Sequence, residues 1–366
     1  MRKELLIGIV ESLFNFTYLS IVLSLGIRLL LEKSKEAKLF VIMAIILGVG
    51  YSFHLLPRII SHLSYNGFEI NASALSWGKL VTSITMTLFY VLFYHYYKSQ
   101  SGDCTTAKRN IIYVLALIRI ALTVLPQNNW GTISENYMFG IYRNIPFAIM
   151  GALLIYWSYK KKDKPGLKNM SICILLSLAF YIPVVLWVDS YPIIGALMIP
   201  KTLAYLMIIV FGYRYFVNKF EKKNIIGLSY TFLVMGLIAG VFYREFTKFY
   251  KYSDNNHLSK LHMHVLALGF LLMMILYLVV KEYDVKKILP LRKPLYVFVS
   301  GFTFTIVNIT LFGIFEIVSA SRPIVNKAAL EGLSGLGHIV LAIGIVWMVV
   351  KIFQNESNIT LRSIKE

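Results

Sequence analysis

Eleven stretches of about 20 apolar residues recur along this chain of 366 residues, near 5–31, 39–63, 78–97, 110–126, 140–159, 169–187, 195–217, 225–243, 260–280, 295–318 and 332–352. A helix of that length, rising about 1.5 Å per residue, crosses the roughly 30 Å hydrocarbon core of a bilayer. Inside that layer every backbone N–H and C=O must find a partner within the protein, so successive apolar runs can only be helices. The composition agrees, because 57% hydrophobic and 15% charged residues with a mean hydropathy of +0.67 leave too little polar surface for a water-soluble globule. The sequence therefore predicts an all-α, polytopic integral membrane protein of about eleven transmembrane helices, joined by short loops so that neighbours run antiparallel. The opening "MRKELLIGIVESLFNF" runs straight into the first stretch with no small-residue cleavage pattern, so a retained first helix is expected.

A formal charge of +19 could suggest nucleic acid, but the basic residues fall in short clusters between apolar runs, where they orient a chain in a membrane. No nucleic-acid partner is expected; the lipid bilayer is. With eleven spans, the odd loops and the tail hold 22 of the 37 Lys and Arg, among them "EKSKEAK", "KKKDKPGLK" and "KEYDVKKILPLRKP". That side is expected to be cytoplasmic, giving a cell-membrane protein with its N-terminus outside and its C-terminus inside, Arg2 and Lys3 notwithstanding. "VNKFEKKN", 217–224, reads as a seam between a seven-helix region spanning 1–220 and a four-helix region with a short cytoplasmic tail spanning 221–366. Cys104 and Cys173 show no pairing or metal spacing. Nucleotide-binding, serine-hydrolase and HExxH signatures are absent.

Within the four-helix region a single bilayer depth gathers most of the chemistry. "LHMHVLALGF" places His262 and His264 at the outer end of the ninth helix, "GLSGLGHIVLAIG" places His338 near the outer end of the eleventh, and "VFYREFTKF" brings Tyr243, Arg244 and Glu245 to the same level. Residues two apart on a helix lie about 200° apart, so His262 and His264 cannot both face one centre. By depth His264 is the better partner for His338, and two neutral imidazoles from antiparallel helices are the ligand set for haem iron. Gly335, Gly337, Gly344 and Gly269 are expected to leave room for the macrocycle, and Arg244 to meet a propionate. Alternatively these are hydrated interfacial histidines and glycines that permit helix packing. Glu316 with Asn308 is the nearest candidate for proton handling.

Residues from about 225 to 352, through "AGVFYREFTKF", "LHMHVLALGF" and "GLSGLGHIVLAIG", resemble a family of small four-helix bacterial membrane proteins that is a domain of unknown function. More remotely, "HMHVLALGFLLMM" is similar to the histidine-bearing helix of haem–copper oxidase catalytic subunits. That likeness implies that either histidine could ligate one b-type haem. The chain lacks the further histidines that copper and a second haem require, so it implies no oxygen reduction.

The seven-helix region carries five cations within or near the outer half of its helices: Arg58, Lys79, Arg119, Arg143 and Lys201. Each unpaired charge there costs about 2.5–3.5 kcal/mol, and the acids at that level are few, chiefly Glu11, Glu69, Glu135 and Asp189. An outward-facing cationic pocket for a carboxylate, phosphate or lipid headgroup is expected, with Pro57, Pro146, Pro183 and Pro200 breaking helices beside it. Arg28 and Arg214 are expected to snorkel. His54, Arg58 and His62 form one i, i+4, i+8 stripe, a weak metal signal. The aromatic runs "FYVLFYHYY" and "VFGYRYF" read as interfacial belts. Two functions follow: one b-type haem in the four-helix region for electron transfer or for redox or gas sensing, or a transporter or receptor for an anionic small molecule or lipid. A lipid-binding or assembly role without turnover is the third.

Overall fold

Each apolar run is a helix. The computed structural model describes residues 2–64, 66–132, 134–217, 220–318 and 327–363. The long helices are α1 (Arg2–Leu29), α2 (Lys35–Leu63), α3 (Ala72–Ser101), α4 (Thr106–Val124), α5 (Tyr137–Lys160), α6 (Met170–Trp187), α7 (Met198–Phe216), α8 (Lys222–Phe249), α9 (261–280), α10 (Arg292–Val318) and α11 (Lys327–Ser363). Among the described residues no strand occurs. Among the described residues ten helices are long and apolar enough to cross a membrane, one fewer than the eleven expected spans. The difference is α4, which is a helix of 19 residues but carries Lys108, Arg109 and Arg119. Of the expected seam, Asn218 and Lys219 lie outside the described residues, as does Lys365 of the tail.

The chain packs as two compact units. One comprises Phe14–His62 with Asn66–Asn218; the other comprises Met1–Leu13, Leu63–Tyr65 and Lys219–Glu366. The grouping departs from the expected regions at α1, whose first residues cluster with the second unit.

In the seven-helix unit α3 to α7 pack in chain order, each against the next, as short loops require. Its core is aromatic. Phe89, Tyr90, Phe93, Tyr94, Tyr96 and Tyr97 are all almost fully buried, which corrects their reading as an interfacial belt. Tyr96 donates to the Gly166 carbonyl at 2.7 Å, and Tyr90 shares a 3.1 Å hydrogen bond with Tyr205, so these hydroxyls are bonded inside the bundle instead of at a headgroup. Pro57, Pro146 and Pro183 lie inside helices that continue past them, and Pro200 sits in the first turn of α7. The expected breaks are absent at the first three. Pro57 has no N–H for the Phe53 carbonyl, and that oxygen turns to α3 at Gly78, where a Cβ would lie 2.3 Å from it. Arg28 is buried beside Tyr213 and Glu32 and does not snorkel, whereas Arg214 is exposed.

In the four-helix unit α8 begins at a reciprocal cap: the Glu221 N–H donates to the Asn224 side chain at 2.8 Å, and the Glu221 carboxylate accepts from the Asn224 backbone. Phe232, Phe298 and Phe302 fill the centre, with Phe232 edge-on to Phe302 at 5.0 Å. Glycines let the backbones close on this core. A Cβ at Gly344 would lie 2.5 Å from the Phe298 nitrogen, one at Gly337 2.7 Å from Thr305 Oγ1, and one at Gly269 2.8 Å from both Phe232 and Phe302. These three glycines are therefore occupied by packing and supply no room for a macrocycle; Gly335 faces open space.

Gly78→Val and Gly344→Val should each force helices apart and lower stability by about 1–3 kcal/mol. Gly140→Ala, where nothing lies within 4 Å, is the control. Thermal unfolding in mild detergent reads the difference, and equal midpoints in all three variants would contradict the close-packing role.

Candidate functional site

The five expected cations do not form one pocket. Arg58 and His62 gather on Phe68, with the guanidinium carbon 5.8 Å from the ring centre and the imidazole edge-on at 4.8 Å. His54, the third member of that stripe, is half-buried. Among the described residues no cluster of three or more His, Cys, Asp or Glu could hold a metal ion, so the stripe is not a metal centre of that kind.

Lys79 and Arg143 converge on Glu135 from α3 and α5, at 3.0 and 3.5 Å. Arg143 also donates to Asn128 Oδ1 at 2.6 Å and lies over the Trp130 ring, while the Trp130 indole N–H donates to the Thr123 carbonyl at 2.7 Å. This group ties the α4–α5 connection to α3 through Glu135, which is half-buried, as is Glu11. Glu69 and Asp189 are exposed.

Arg119 and Lys201 remain, and they are the unusual pair. Arg119 of α4 is 2% exposed and Lys201 of α7 is 5% exposed. The guanidinium carbon sits 3.5 Å from the centre of the Phe147 ring, and the ammonium 4.2 Å from that of Tyr181 and 5.7 Å from that of Tyr51. Phe147 and Tyr181 touch edge-on at 6.0 Å, so the two cations occupy one aromatic chamber and are close enough to repel one another. Among the described residues neither meets a carboxylate. Nε and Nη1 of Arg119 and the hydroxyls of Tyr18 and Tyr51 are buried without a hydrogen-bond partner. Sequence reasoning singled out both cations and missed the tyrosines that surround them. The signal was present in the bulky polar side chains of Tyr18, Tyr51, Tyr90 and Tyr205 inside apolar runs.

In the four-helix unit α9 is α-helical over Leu261–His264, widens to a π-helix over Val265–Leu271, and is α-helical again over Leu272–Val280. Such segments occur often at functional sites because they re-aim side chains beside them. His264 and His338 come together with ring centres 6.1 Å apart and planes at 84°. His264 Nδ1 lies 2.9 Å from the Lys260 carbonyl oxygen; a carbonyl only accepts, so Nδ1 donates, and in the neutral ring Nε2 then has the lone pair. His262 turns the other way, onto Tyr243, with ring centres 6.5 Å apart. Arg244 pairs with its exposed neighbour Glu245 at 2.8 Å. Glu316 is not coupled to Asn308, which bonds the Phe304 carbonyl; it holds His257 through the backbone N–H at 2.7 Å and Nδ1 at 2.9 Å. His257 was not anticipated, since its partner lies 59 residues away.

Residues 222–355 match the model of a family described as a protein of unknown function (DUF2871). The match takes in "AGVFYREFTKF", "LHMHVLALGF" and "GLSGLGHIVLAIG" and leaves the seven-helix region outside it. Comparisons with curated proteins and with solved structures found no match. None of these findings carries the similarity to haem–copper oxidase subunits.

Proposed function

We propose that α4 also crosses the bilayer, as an eleventh span, so that this multi-pass protein lies in the cell membrane with its N-terminus outside and its C-terminus in the cytoplasm, and that its seven-helix unit binds an anionic ligand through Arg119 and Lys201. It is then the binding element of a transporter or receptor. The observation that carries the reading is two buried cations in one chamber with no carboxylate beside them among the described residues. Removing a charge from water costs several kcal/mol even after relaxation, and a desolvated cation–π contact returns about 2 kcal/mol. The rings therefore offset part of the cost and leave the rest for a counter-ion. The ligand class is a carboxylate or phosphate, which can accept from the unbonded Arg119 Nε and Nη1 and from the Tyr18 and Tyr51 hydroxyls.

Replacing Arg119 by Met, of similar bulk and no charge, should stabilise the unliganded protein by about 1–4 kcal/mol and remove stabilisation by anions. Thermal unfolding with and without acetate and phosphate reads both effects. A variant that is less stable than the wild type and still responds to anions would assign Arg119 a purely structural role.

The orientation rests on the basic loops, and the chain supplies its own reporter. Cys104 is exposed in the α3–α4 loop, whereas Cys173 is buried. A membrane-impermeant maleimide should leave Cys104 unlabelled in intact cells and label it after permeabilisation; labelling in intact cells would invert the topology.

A second reading is specific to the four-helix unit: one b-type haem held by His264 and His338. His264 and His338 would hold the iron: their ring centres lie 6.1 Å apart, near enough for two imidazoles to share one ion. The Lys260 carbonyl orients His264 with its ligating nitrogen bare. Two imidazoles suit an iron, but Gly269, Gly337 and Gly344 are filled by packing and leave the macrocycle no room on their side, and Arg244, engaged with Glu245, is not placed as a propionate partner. A haem bound there would supply one-electron transfer or diatomic-gas binding. The dithionite-reduced minus oxidised spectrum of protein from haem-supplied cells should show about one haem per chain, lost in His338→Ala with insertion intact. A flat spectrum, or a full one in the variant, retires this reading.

A further inference from the structure

We infer that the anion taken by Arg119 and Lys201 is the head of an amphipathic molecule, a single-chain carboxylate or phosphate, which enters sideways from the bilayer between α5 and α6. The inference rests on the anion-binding reading and specifies its substrate class. It is carried by a cavity of about 130 Å³ between these two helices, whose walls include Asn144, Ala148, Leu178 and Val185 together with Phe147 and Tyr181. Phe147 and Tyr181 are also the two rings that carry the cations, 3.5 Å from Arg119 and 4.2 Å from Lys201. One pair of rings thus divides an apolar cavity from a charged chamber.

The chemistry on either side of the rings differs in the way a head and a tail differ. The chamber offers two cations and unbonded hydroxyls. The cavity offers apolar side chains, and its flanks Ile145 and Ile182 are exposed on helices apolar enough to span a membrane, 50% and 42% respectively. In a bilayer those flanks meet acyl chains, so a water-borne anion has no reason to approach there, while a lipid-borne one does. A space of this size holds the first few methylenes next to a headgroup, and the rest of a chain stays among the lipids. Tyr181 is positioned as a gate: its hydroxyl donates to Asn144 Oδ1 at 2.9 Å across the cavity wall, a bond that a headgroup oxygen can replace.

The test uses full-length protein in a neutral maltoside detergent, with oleate, lysophosphatidic acid, acetate and inorganic phosphate as probes, read by equilibrium binding and by the unfolding midpoint. Oleate or lysophosphatidic acid should bind at least a hundredfold more tightly than acetate or phosphate, and whichever of the two binds identifies the head as carboxylate or phosphate. Ala148→Trp, which fills the cavity, should weaken that binding at least tenfold while the protein stays monodisperse; Val185→Phe serves the same purpose should the tryptophan variant not fold. Acetate or phosphate binding that is lost in Arg119→Met but unchanged in Ala148→Trp and Val185→Phe overturns lateral entry and leaves the anion site standing. No binding of any probe by the wild type overturns both.

Discussion

The rest of this structure depends on the exclusion of water from the bilayer core. That exclusion forces the backbone into helices, because no other open arrangement satisfies its N–H and C=O groups there. It also removes the usual drive for helices to associate, since lipid tails are as apolar as leucine, and leaves close packing to do that work. Gly78 against the Phe53 carbonyl and Gly344 against the Phe298 backbone are where that packing is tightest.

The same exclusion makes an uncompensated charge conspicuous. Lys79 and Arg143 share Glu135, and Arg58 lies against Phe68, so these cations have contacts that account for them. Arg119 and Lys201 have rings on one side and one another's repulsion, which is a poor resting arrangement without an anion. Their chamber is enclosed in this structure and backs onto an apolar cavity, a combination that links the electrostatic deficit to the lipid phase. In the four-helix unit the polar chemistry is differently arranged. Hydrogen bonds from His264 to the Lys260 carbonyl and from His257 to Glu316 orient single imidazoles, and a π-helical segment follows His264.

Much of this was legible in one dimension. Length and hydropathy of each run specify a helix and its approximate limits, since both are local properties of the chain and the bilayer thickness is known in advance. The pairing of His264 with His338, and the turning away of His262, follow from helical periodicity and depth alone. The family match over residues 222–355 adds a relationship to that half without adding an activity.

What the sequence determined by itself is therefore the class, the helices and the residue types worth watching, because these depend on spacing along a single helix. What only the tertiary structure decided is which of them meet. Five similar cations separated into three environments, tyrosines that resembled a belt became a core, and three of the four glycines expected to border a cofactor were filled by Phe232, Phe298, Phe302 and Thr305. Such outcomes depend on contacts between helices far apart in sequence. Burial, the quantity that turns a charge into a ligand site, belongs to the packed bundle and to no single segment.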